Sequence, residues 1–162
     1  MFPSELLDLS CVDEISVSGR GGKERDLGKL LRDWQRVSEK LYDYQISYQQ
    51  KIWKVELKKQ ANLQWFDVRK YYQLGVEDRE IFVLFVNHNS GRIDTIAAIT
   101  LGSFIDLLLK IGKDGWTEDV LSTGRRWQQS YPSLQFKAQA KIRDLIAEYP
   151  SFFQILYQIN SV

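Results

Sequence analysis

The stretch YDYQISYQQKIWKVELKKQ, Tyr42–Gln60, decides the fold. Tyr42, Tyr44 and Ile46 alternate with Asp43 and Gln45, and Ile52–Gln60 alternates again after the polar run Ser47–Lys51. Two alternating runs joined by a short polar segment predict a β-hairpin. In a strand, residues i and i+2 share a face. Trp53, Val55 and Leu57 therefore lie on one face of the returning strand. Ile52, Lys54, Glu56, Lys58 and Gln60 lie on the other. An antiparallel hairpin also brings Asp43 back beside Glu56 and Lys58.

Outward from the hairpin, the apolar pattern changes period. Residues 1–20 read as a mixed lead-in ending in the loop Ser18–Gly22, which lacks the Lys-Ser/Thr ending of a nucleotide-binding loop and reads as a linker. Over Lys23–Lys40, Leu27, Leu30, Leu31, Trp34 and Val37 recur at spacings of three and four, predicting a helix with Glu24 on its inward stripe. No strand is expected between that helix and Asp43. After the hairpin, 62–74 is expected to be helical, with Gly75 as its stop. Glu80–Asn87 is a continuous apolar run, expected as a strand covered on both faces. Asn87–Gly91 is a turn, Arg92–Thr100 a strand and Leu101–Ile111 a helix closed by Gly112. Residues 133–149 read as a helix broken by Pro150. The apolar tail 152–159 is expected to pack on the body of the protein or on a partner. This succession of strands and helices is expected to be α/β, with helices flanking a central β-sheet and a helical C-terminal portion.

At 162 residues the chain fits one domain with its own core. Its core is expected at about 23–111, with 112–162 as an extension for DNA contact or oligomerisation. The formal net charge of +1 provides no overall basic field, so any nucleic-acid contact must come from a local patch. One cysteine and one histidine exclude an internal disulfide and a Cys/His zinc site within one chain. His88, between two asparagines, reads as a surface residue. Apolar runs are too short to span a membrane, and a cytoplasmic location is expected.

The chemistry concentrates at Asp43, Glu56 and Lys58. Hydrolysing a phosphodiester calls for a divalent cation that lowers the pKa of a bound water and offsets charge on phosphorus. Mg²⁺ takes oxygen ligands, one or two carboxylates among them, and Asp43 and Glu56 supply two. Lys58 can orient the attacking water or stabilise the developing negative charge. Gln60 is next on the same face.

Asp43, then Val55-Glu56-Leu57-Lys58, a helix, the apolar strand Ile81–Val86, another strand and Phe104–Leu109 together resemble the PD-(D/E)xK nuclease superfamily over about residues 23–111. That group includes restriction endonucleases, some intron-encoded homing endonucleases and Holliday-junction resolvases. The resemblance implies an α/β core with a mixed sheet, Asp43 and Glu56 as Mg²⁺ ligands, and Lys58 as the catalytic lysine. It also implies Glu24 as an acid of the first helix. Tyr42 stands where many members have proline.

A duplex-binding surface is expected at Gly124–Gln129, where Arg125, Arg126 and Gln128 offer donors suited to base edges in the major groove. Lys59 and Arg69 form a second stripe suited to phosphates. One such site cuts one strand, so a homodimer or homotetramer is expected for cleaving double-stranded DNA. The competing reading is a single-stranded-DNA-binding module of the transcriptional coactivator type, displaying the lysines and aromatics of Lys54–Tyr72 on strands. A helix over 62–74 would favour the nuclease and a strand the binder.

Overall fold

The computed structural model describes residues 1–10, 12–15, 27–39, 42–58, 75–89, 91–111 and 142–159. Six strands form one sheet in chain order: β1 (Gln35–Arg36), β2 (Tyr44–Tyr48), β3 (Lys51–Lys58), β4 (Phe82–Asn89), β5 (Arg92–Thr100) and β6 (Gln154–Gln158). Every neighbouring pair is antiparallel except β3 and β4, which run parallel. The sheet is therefore mixed and the domain α/β. The described helices are α1 (Val76–Arg79), α2 (Leu101–Ile111) and α3 (Ile142–Glu148).

The hairpin forms as its alternation predicts, with Tyr44 opposite Val55 and Tyr48 opposite Lys51. Its turn is narrower than Ser47–Lys51, because only Gln49 and Gln50 leave the ladder. Both have positive φ, 50° and 63°, the geometry of a two-residue turn whose twist matches the flanking strands. Neither is a glycine or asparagine, so the turn is made by residues that resist it.

The pleat sorts β3 and β4 into two faces. Val55, Leu57, Phe82, Leu84 and Val86 join Ile96 and Ala98 in a core closed by Phe2, Leu7, Val12, Ile15, Leu30 and Leu31. The amino-terminal residues are thus structural, beyond the lead-in expected of them. Phe2 stacks on Trp34 at 5.9 Å, and its backbone exchanges two hydrogen bonds with the Gln154 amide, at 2.8 and 3.0 Å. The other face carries Val83 and Phe85, and Phe85 meets Phe104 of α2 at 5.5 Å. Thr100 caps α2: its hydroxyl oxygen accepts the Ser103 N–H at 3.2 Å. Leu101, Phe104, Ile105 and Leu107 are buried, each contributing about 1.5–3 kcal/mol. Every residue of β4 from Phe82 to Asn87 is buried, as the continuous apolar run implies.

One expectation needs correction. The described part of Lys23–Lys40 is no continuous helix. Gly28–Leu30 makes one 3-10 turn, Leu31 bridges Leu7, and β1 pairs with β2. Asp33 at φ 60° breaks any helical path, and Leu30, Leu31 and Trp34 are satisfied by Phe2, Leu6 and Leu7 instead of by a helical stripe. A strand, β1, therefore stands inside the expected helix and before Asp43. At the carboxyl end, α3 lies within the helix expected at 133–149, and the tail packs on the body of the protein as expected, with 154–158 forming β6 on β5. The segment 62–74 lies outside the described residues.

Candidate active site

Glu56 and Lys58 alternate with the buried Val55 and Leu57, so both leave β3 on the face covered by α2. Glu56 is level with Val83 and Lys58 with Phe85. The Lys58 ammonium lies 3.0 Å from the Glu56 Oε1, with the two side chains 27% and 12% exposed. A pair this sheltered is less screened than a surface pair.

Asp43 stands immediately before β2. Its N–H donates to the Val55 carbonyl at 2.9 Å although Val55 is already level with Tyr44, so Asp43 departs from the hairpin register by one residue. The ladder ends there, and the Asp43 Oδ2 accepts the Leu57 N–H at 3.4 Å. Asp43 thus replaces the missing strand neighbour with a side chain. The Asp43 carboxylate therefore stands just before β2, on the backbone of the residue between Glu56 and Lys58.

Tyr42 and Lys54 flank the acids. The Lys54 ammonium lies 5.3 Å from the centre of the Tyr42 ring, and the Tyr42 hydroxyl is 3.4 Å from the Gln45 Oε1. Gln45 is opposite Lys54 in the hairpin, so this group lies on the face of Glu56. Lys54 was legible in the strand alternation as a neighbour of Glu56, but its charge counts only once the ring and Glu56 are seen on the same face. A cavity of about 340 Å³ opens at the other end of β3, lined by Lys51, Ile52, Trp53, Lys54, Glu80 and Ile81. It does not contain the acids. Lys54 reaches both regions.

Glu24, Lys59, Gln60, Arg69, Arg125, Arg126 and Gln128 lie outside the described residues. Among the described residues, no group of three or more His, Cys, Asp or Glu side chains forms a metal cluster. The described acidic set is Asp43 and Glu56. Two carboxylates with water fit Mg²⁺, which keeps several of its waters, better than they fit a cation needing an all-protein cage. His88, on β4 beside the bulge at Asn87, is removed from the acids in sequence and strand level. Among the described residues, no helix is long and apolar enough to cross a membrane.

Comparison of the chain with protein-family models, with curated proteins and with solved structures finds no match.

Proposed function

We propose that this protein is a Mg²⁺-dependent endonuclease of the PD-(D/E)xK type, hydrolysing phosphodiester bonds in double-stranded DNA. The observation that carries the reading is the Asp43 carboxylate on the N–H of Leu57, the residue between Glu56 and Lys58, with Lys58 3.0 Å from Glu56. A mixed sheet with β3 parallel to β4 agrees with the restriction-endonuclease-like core expected for such a site.

In this reading Asp43 and Glu56 would hold the cation, whose chemistry there would be a lowered pKa for a bound water and charge compensation on the phosphate. Lys58 orients the water or binds a non-bridging phosphate oxygen as negative charge grows there. Water adds to phosphorus, one P–O ester bond breaks, and the departing oxygen takes up a proton. Leu57, pinned through its N–H by Asp43, keeps Glu56 and Lys58 in register. Lys54 meets a phosphate beside the scissile one. Arg125, Arg126, Gln128, Lys59 and Arg69 extend the duplex contact. The role is sequence-specific cleavage of restriction or homing type, or junction resolution, by an intracellular homodimer or homotetramer whose paired sites cut both strands.

The single-stranded-DNA binder draws less support. Trp53, the aromatic of β3, packs against Phe82 at 5.9 Å and donates its indole N–H to the Tyr48 carbonyl at 3.2 Å. A ring held this way is poorly placed to stack on bases. Incubating supercoiled DNA with the protein and Mg²⁺ or EDTA tests the nuclease: metal-dependent nicking or linearisation is expected. DNA binding that never leads to strand breakage under Mg²⁺ points to the binder.

A further inference from the structure

Asn87 is the one polar residue buried among the described residues, with 1% exposure. Its side-chain Oδ1 has no hydrogen-bond partner among the described residues. Buried amide oxygens are rarely left without a donor, because burial strips away water that would otherwise serve. Phe85, two residues back on the same face, is buried and apolar, and Thr95 stands directly opposite Asn87 on β5.

The register shows what the oxygen could serve. Phe85 is level with Lys58, and Asn87 is the next residue of β4 on the same face. Strand spacing and rise put the Cα atoms of Lys58 and Asn87 roughly 8 Å apart, within reach of lysine's four-carbon stem. Arg143 of α3 is a second cation approaching the neighbouring strand, but its guanidinium is held by the Asp94 carboxylate at 2.5 Å. The Lys58 ammonium carries three donors and lies 3.0 Å from the Glu56 carboxylate. A divalent cation on the same carboxylate would repel that ammonium.

We infer that Asn87 is a positioning residue for Lys58: its Oδ1 receives the Lys58 ammonium when a divalent cation takes the Glu56 carboxylate. The inference rests on the reading of Asp43 and Glu56 as the cation-binding pair. It gives Lys58 two acceptors on one face, Glu56 without the cation and Asn87 with it. The ammonium then stays on the face where the phosphate binds instead of swinging into solvent.

The test follows the Asn87 side-chain amide by ¹H–¹⁵N NMR while Mg²⁺ alone is added, with the resonance assigned by its loss in Asn87→Leu. In the wild-type protein the amide should shift with the midpoint of calorimetric Mg²⁺ binding, and in Lys58→Met it should stay put. An amide that ignores bound Mg²⁺, or moves equally in Lys58→Met, overturns the inference. Failure of Mg²⁺ to bind overturns the cation-site reading and this inference with it. A Lys58-dependent shift without DNA cleavage leaves the inference standing and removes the nuclease reading. Asn87→Leu should raise the melting temperature and lower kcat at least tenfold with KM unchanged, and Asn87→Asp, which keeps an acceptor oxygen, should recover part of kcat. Unchanged kcat in Asn87→Leu would equally overturn the inference. If that variant misfolds, the titration of the wild-type and Lys58→Met proteins decides.

Discussion

The Lys58 ammonium lies 3.0 Å from the Glu56 carboxylate, on the face of β3 opposite the core residues Val55 and Leu57. Because both side chains are largely sheltered, removing one leaves the other poorly compensated. Lys58→Met is expected to destabilise the metal-free protein by about 1–2 kcal/mol, between exposed and fully buried pairs. Lys58→Met combined with Glu56→Gln should recover part of that loss. Urea unfolding of the two single variants and the double variant reads the coupling, and strict additivity would show that the pair contributes nothing.

Asp43 serves two ends, and its variants separate them. Its Oδ2 accepts the Leu57 N–H, while its charge is what a cation would need. Asp43→Asn keeps an acceptor oxygen and should fold with nearly wild-type stability, yet bind Mg²⁺ at least tenfold more weakly by calorimetry. Asp43→Ala loses both and should cost about 0.5–1 kcal/mol as well, the lower range for one hydrogen bond of this length. Equal Mg²⁺ affinity in wild type and Asp43→Asn would remove Asp43 from the cation site.

Lys54 sits two residues before Glu56 on the same face, with its ammonium over the Tyr42 ring. If it neutralises one phosphate, Lys54→Ala lowers the slope of log affinity against log salt by about 0.9 and weakens all duplexes alike. Fluorescence anisotropy with Ca²⁺ in place of Mg²⁺, at several salt concentrations, measures this without relying on cleavage. An unchanged slope would place Lys54 off the DNA.

The hairpin shows how far the sequence could be read. Alternation in Tyr42–Gln60 located both strands, and the face shared by Glu56 and Lys58 followed from the pleat. What alternation could not reveal is that Gln49 and Gln50 both adopt positive φ, since neither residue advertises it. Gln49→Asn with Gln50→Gly supplies the residues this turn favours and should stabilise the fold by about 1 kcal/mol. Chemical unfolding checks it, and a loss of stability would mean that these side chains matter more than the backbone they strain.

Elsewhere, local pattern was overruled by distant partners. Leu27, Leu30, Leu31 and Trp34 have helical spacing, but their burial comes from Phe2, Leu6 and Leu7, residues far enough away that no window over 23–40 contains them. The tail packs on the body of the protein as expected, and only the free edge of β5 makes Gln154–Gln158 a strand. β4 and α2 were legible because their signals are local, a continuous apolar run and a helix entered through the Thr100 cap. Asn87 was placed in the sequence as the start of a turn. Its burial and the open acceptor on its amide required the strand to continue through it.

The pairing of Asp43, Glu56 and Lys58 as one hydrolytic site is tested most directly by cleavage of supercoiled and linear duplex DNA in Mg²⁺. Wild type, Asp43→Ala, Glu56→Gln and Lys58→Ala would be compared after circular dichroism shows each is folded. Wild type should nick or cut DNA with Mg²⁺ and not with EDTA, and each variant should lose at least about a hundredfold in rate, the usual loss when one transition-state-stabilising group is removed. Cleavage that survives all three substitutions, or wild-type protein that breaks no duplex under Mg²⁺, would contradict it.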